Sequence, residues 1–116
     1  MIIWHNPNCS KSRECIKVLD QMKVVFEIRE YLIDKPSFTE IQEVIKMIDI
    51  SDIRDIMRVK EDMYKELDLD NKDKTSGELV DAMVQYPILI ERPLGINQNK
   101  AIIGRPLENI LELFNV

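Results

Sequence analysis

The chain has 116 residues, with 16 Lys and Arg against 21 Asp and Glu and a single His, giving a formal charge of −5. That length suits one domain of the usual roughly 100 to 150 residues, and 45% hydrophobic with 32% charged residues excludes a disordered or fibrous chain. No apolar stretch reaches the roughly 18 residues a membrane span needs, residues 1–5 lack the make-up of a signal peptide, and a pI near 4.9 without a Lys/Arg-rich run argues against nucleic acid as a main ligand. A cytoplasmic location is expected. Cys9 and Cys15 are too few for a disulfide framework, and with one histidine they argue against a structural zinc site, so no metal is expected.

Ile2 to His5 is a short apolar run that stops at the turn-forming Asn6-Pro7-Asn8, which predicts a strand followed by a tight loop. From Ser10 onward Cys15, Ile16, Val18, Leu19 and Met22 recur at helical spacing, and Val24 to Tyr31 reads as a second strand, parallel to the first. Ser37-x-x-Glu40 and Thr75-x-x-Glu78 are capping boxes that open two helices, the first with Phe38, Ile41, Val44, Ile45 and Ile48 on one face. Between them, Ser51 to Met57 and Glu61 to Leu67 read as short helices, and the polar run Asp68 to Lys74 as a solvated loop. Leu94 to Ile96 and Ala101 to Ile103 form a hairpin around residues 97–100, and Arg105-Pro106 starts a last helix with proline at its first position and Leu107, Ile110, Leu111 and Phe114 apolar. The expected architecture is α/β in the order βαβ, helical insert (38–85), ββα, as one domain over residues 1–116.

Cys9 falls at the start of the first helix. A thiol reacts as its thiolate, and a helix N-terminus favours that anion through unpaired N–H groups and the positive dipole end. Lys11, Arg13 and His5 add cationic or donor groups nearby in sequence, and the same N–H groups would cradle an oxyanion beside the sulfur. The plainer reading, a small apolar residue at a strand-helix junction, fits less well with the flanking Asn8 and Ser10. Cys15 lies about 240° around the helix and shares the inward stripe with Leu19 and Met22, which makes it a core residue. Position 12 is Ser, so there is no CxxC dithiol and an external thiol must complete any reduction.

The stretch from His5 through Cys9 to Arg13 resembles the N-terminal signature of the glutaredoxin-dependent arsenate reductase family, the ArsC type with a thioredoxin-like fold. Met57-Arg58 followed by Glu66-Leu67, the run Pro87 to Pro93, and Gly104-Arg105-Pro106 resemble the family's later motifs in the same order, covering essentially the whole chain. The loop Ser10-Lys11-Ser12, where the best-known members have Gly-Thr-Ser, and an end at Val116 place it with a short subgroup. The resemblance implies a four-stranded mixed sheet flanked by helices, Cys9 as nucleophile on arsenate, and Arg58, Arg92 and Arg105 as holders of the oxyanion. It also implies that His5 lowers the pKa of the thiol, that Ser12 is a hydroxyl beside it, and that Pro93 is a cis-proline facing the cysteine. Forked, permanently charged arginines suit a dianionic tetrahedral ligand.

On spacing alone, Arg58, Arg92 and Arg105 could be surface residues, and Arg54 reads as solvated; Trp4 and Tyr64 read as packing residues. The activity implied is reduction of arsenate to arsenite through a covalent Cys9 intermediate, with glutathione as co-substrate, glutaredoxin as partner and no bound cofactor. Two alternatives are a general glutathione-linked thiol/disulfide oxidoreductase and an Spx-like regulator that binds RNA polymerase. Such regulators present a CxxC switch where this chain has Ser12.

Overall fold

A computed structural model describes residues 1–113; Phe114, expected in the apolar face of the last helix, lies outside the described residues. Four short strands, β1 (Ile2–Trp4), β2 (Glu27–Arg29), β3 (Leu94–Asn97) and β4 (Lys100–Ile103), form one mixed sheet in the order β2-β1-β3-β4. β1 is parallel to β2 and antiparallel to β3, and β3 is antiparallel to β4. The parallel pair needs a crossover, which α1 (Ser10–Gln21) supplies. α2 (Phe38–Met47), α3 (Asp62–Glu66) and α4 (Ser76–Gln85) make up the insert. This is the thioredoxin-like α/β arrangement expected from the sequence.

The alternation of side chains along β1 divides the interior in two. Ile3 is fully buried with Cys15 and Leu19 of α1 and with Ile110 and Leu113, whereas Trp4 points the other way, into the larger core under α2 and α4 with Ile41, Val44, Leu79 and Met83. Trp4 stacks on Tyr31, ring centroids 6.5 Å apart, and the Arg29 guanidinium lies 5.5 Å from its ring. Tyr64 is buried and its hydroxyl donates to Asp70 Oδ1 at 3.1 Å. Both capping boxes form: Ser37 and Thr75 each accept from the backbone N–H three residues on, and Glu40 and Glu78 return the bond. Glu40 also pairs with Arg29 of the edge strand β2, which ties α2 to the sheet and holds the Glu40 carboxyl down at about 2.

Four local expectations are corrected. The strand expected from Val24 to Tyr31 is paired only over Glu27–Arg29, because its three-residue partner β1 offers no longer ladder. Ser51 to Met57 contains a 3-10 turn, Ile53–Ile56, in which Asp52 accepts from Arg54 N–H. Arg54 is not solvated: its Nε donates to Leu69 O and its Nη2 to Asn71 O, both at 2.8 Å, so it fastens the 68–74 loop. Pro106 does not open an α-helix; it follows a cis peptide, and the last helix is a 3-10 helix, Leu107–Leu113. That helix lies so close to β3 that a Cβ on Gly95 would fall 2.6 Å from Ile110 Cδ1, so glycine is what allows the approach. Among the described residues no helix is long and apolar enough to cross a membrane.

Candidate active site

The loop between β1 and α1 is held by its own polar groups. Asn6 Oδ1 accepts from Asn8 N–H at 3.0 Å, Cys9 N–H donates to Asn6 O at 3.0 Å, and Arg13 reaches back to Pro7 O at 2.9 Å. Cys9 thereby becomes the N-cap of α1 in extended geometry, with Arg13 N–H making the first helical bond to its carbonyl. Its sulfur forms no conventional cap bond and is left for other partners. Burial works against the thiolate, but the Ser12 backbone N–H, the charge and a donor of Arg92, and the Lys11 N–H outweigh it, so the thiol lies below its ordinary value. Arg105 Nη2 stands 3.4 Å from Cys9 Sγ.

His5 takes a different part from the one expected of it. Its Nδ1 lies 2.6 Å from Ser12 Oγ, in a buried pair, and Asn6 N–H donates to the same hydroxyl at 3.1 Å. The imidazole tautomer sets which of His5 and Ser12 donates between them. Burial pushes the imidazole pKa down, with Glu30 opposing and Arg13 adding to the fall, so His5 is neutral at neutral pH and brings no positive charge to the thiolate. The Ser12 hydroxyl is committed to His5 and the loop; it is the Ser12 backbone that serves the sulfur.

The three arginines arrive from distant segments. Arg58 N–H bonds to Leu89 O at 2.7 Å and Glu91 N–H to Ile56 O at 2.8 Å, zipping residues 56–58 to 89–91 around the Met57–Ile90 bridge. The Arg92–Pro93 peptide is cis, as expected. Gly104 N–H donates to Pro93 O at 2.9 Å, and a Cβ at Gly104 would press to 3.0 Å from the Pro93 ring, so glycine lets the two loops meet. That meeting aims Arg105 Nε at Arg92 O, 2.7 Å away. Arg58, Arg92 and Arg105 consequently share one cleft of about 410 Å³, lined by residues 57–62, Glu91, Arg92 and Arg105, with Arg105 bridging it to the sulfur. Arg92 Nε is buried there without a hydrogen-bond partner. An orphaned guanidinium donor beside a thiolate-favouring cysteine fits an anionic ligand.

Sequence reasoning missed two residues of the cleft, Glu61, whose Oε1 lies 2.7 Å from Arg58 Nη1, and Glu91, 3.3 Å from Arg92 Nη1, and also missed buried Tyr31, which feels the charge of Arg92 and Arg58. The Tyr31 hydroxyl is pushed up to about 12, chiefly by burial, against the pull of Arg92 and Arg58. The spacing of Arg58 and Glu61 and the neighbouring Glu91-Arg92 are visible in the sequence, but nothing local marks the glutamates as cleft-facing.

The model of the ArsC family matches residues 4–113. The chain belongs to the ArsC family. An arsenate reductase of Haemophilus influenzae is 45% identical over 113 residues, 97% of each chain, and one of Neisseria meningitidis is 41% identical over 108 residues, 93% of this chain and 92% of that one. Among solved structures, an arsenate reductase from Vibrio cholerae superposes with a TM-score of 0.94 at 38% identity, covering 97% of this chain and 95% of its own. Over residues 4–113 the chain has the thioredoxin-like frame of the ArsC family.

Proposed function

We propose that this ArsC-family chain reduces arsenate to arsenite, with Cys9 as nucleophile and glutathione and glutaredoxin as the source of electrons. The observation that carries the reading is the meeting of a thiol below its ordinary pKa with Arg105 at 3.4 Å and with the unpartnered Arg92 Nε. Relatives of similar length named arsenate reductases support the choice of oxyanion.

In this reading Arg58, Arg92 and Arg105 hold the oxygens of arsenate while the Cys9 thiolate attacks arsenic, and a hydroxyl of arsenate leaves as water. Glutathione adds to the arsenic of this adduct with loss of a second water. A glutaredoxin thiolate then attacks the glutathione sulfur, the S–S bond forms, and the electron pair of the broken S–As bond reduces As(V) to As(III). Hydrolysis of the remaining Cys9–As bond releases arsenite and regenerates the thiol. Cys15 supplies no resolving thiol, because it is fully buried and pushed up to about 11; this favours an external thiol over an internal dithiol relay. The scheme calls on no resident cofactor or metal and is suited to the reducing cytoplasm.

The test is arsenate-dependent NADPH oxidation with glutathione, glutathione reductase and a glutaredoxin, with Cys9→Ser as the blank. Turnover lost in the variant supports the reading. Absence of arsenate turnover, with Cys9 still forming a mixed disulfide with glutathione, replaces it with a general glutathione-linked thiol oxidoreductase.

A further inference from the structure

Two of the cleft's arginines are already met by carboxylates of this chain. Glu61 Oε1 lies 2.7 Å from Arg58 Nη1, and Glu91 Oε1 lies 3.3 Å from Arg92 Nη1; both glutamates line the cleft, as does the exposed Asp62. Their backbones are fixed, Glu61 N–H on Arg58 O and Glu91 N–H on Ile56 O, while the carboxylates sit at the ends of rotatable side chains. Both pairs are partly buried, with Glu61 and Glu91 side chains 24% and 25% exposed, and each carboxylate engages a guanidinium group that lines the cleft. Their position over the anion-holding guanidinium groups therefore bears on ligand choice. Among the described residues the carboxylates leave buried Arg92 Nε without a partner.

We propose that Glu61 and Glu91 are specificity-determining counter-ions that set a charge threshold for the cleft, so that tetrahedral dianions enter and monoanions of the same shape do not. The inference rests on the reading of this cleft as the oxyanion site. Among the charged groups of the lining, Lys60 and the three arginines stand against Glu61, Asp62 and Glu91, and an entering monoanion that displaces one carboxylate exchanges one charge for another of equal size. A dianion doubles the attraction to Arg58, Arg92 and Arg105 and offsets the repulsion. The glutamates act through the arginines and take no part in bond making.

The experiment follows protection of Cys9 from iodoacetamide by sulfate and by perchlorate, tetrahedral ions of charge −2 and −1, at constant ionic strength. An anion held beside the sulfur disfavours the thiolate and slows alkylation. In the unaltered protein, half-protection by sulfate is expected at about tenfold lower concentration than by perchlorate. In the Glu61→Gln/Glu91→Gln double variant, perchlorate protection improves and the ratio falls to about threefold or less, with each single variant between and Glu61→Asp near the unaltered value. Equal protection by the two ions in the unaltered protein overturns the proposal before any variant is made, as does a ratio that the double variant leaves unchanged. Arsenate turnover run in parallel separates the two readings: turnover with no charge discrimination leaves the reductase standing and removes the threshold. Discrimination without arsenate turnover upholds the threshold and removes the reductase.

Discussion

Cys9 and Cys15 stand six residues apart, at the N-cap and in the middle of one helix, and their surroundings push the two thiols in opposite directions. Cys9, at the N-cap, is half-buried and drawn below its ordinary value by backbone N–H groups and Arg92. Cys15 is fully buried among Ile3, Leu19, Ile110 and Leu113, and burial raises it to about 11. The helix is common to both; what differs is whether the residue caps the first turn, where N–H groups lack helical partners, or lies beyond it, where they are used. Reactivity in this molecule is therefore a matter of position along the helix axis and of what two remote loops bring to that position.

The largest break in the comparison is Cys9→Ser, which is expected to abolish arsenate-dependent NADPH oxidation entirely, whereas Cys15→Ala retains most of it. The next test removes the remote loops' contribution while keeping the helix. Arg92→Lys keeps a positive charge but loses the forked donor, and turnover should fall about 10²-fold. The pH midpoint of Cys9 alkylation should move up toward the ordinary thiol value, because Arg92 is one of the groups holding it down. An unmoved midpoint would assign the contribution of Arg92 to its charge, which lysine keeps, and not to its forked donor.

What the sequence made legible follows from range. The Cys9 helix start, the two capping boxes and the hairpin are written in residues a few positions apart, and the structure has all of them. Arg54 was misread because its acceptors, Leu69 O and Asn71 O, are 15 and 17 residues away and carry no side-chain signal. The common cleft of Arg58, Arg92 and Arg105 was accessible only through resemblance, since their meeting depends on the 56–58 to 89–91 backbone bonds and on the close approach of Gly104 to Pro93. His5 lies close to Cys9 in sequence, yet its nearest polar partner is another residue. Nearness in sequence to Cys9 offered a cationic or donor group, whereas burial lowers the imidazole pKa and its Nδ1 is taken up by Ser12.

Ser12→Ala sharpens the comparison by separating the side chain of residue 12 from its backbone. The hydroxyl satisfies Asn6 N–H and His5 Nδ1, both buried, so its loss should cost about 1–3 kcal/mol in chemical denaturation. The backbone N–H that favours the Cys9 thiolate is retained. The alkylation midpoint of Cys9 should therefore stay in place while stability falls, and a midpoint that rises would show that the hydroxyl network orients the N–H groups of the first turn.

The smallest expected effect lies on the Cys15 side. Cys15→Ala removes one buried sulfur from a close-packed cluster and should cost about 1 kcal/mol at neutral pH. The sign of its pH dependence is set by the raised pKa. The folded state resists ionisation up to about 11, whereas the unfolded chain ionises near 9.0, so the unfolded state sheds its proton first and the unaltered protein loses stability as pH rises between those values. Alanine carries no such proton. Denaturation of the two proteins at pH 7 and in steps from 9 to 11 should show the gap between them closing as the pH rises. A gap that stays constant would mean that the buried sulfur meets a partner able to hold its thiolate, and the contrast between the two cysteines would then be one of access and no longer one of charge.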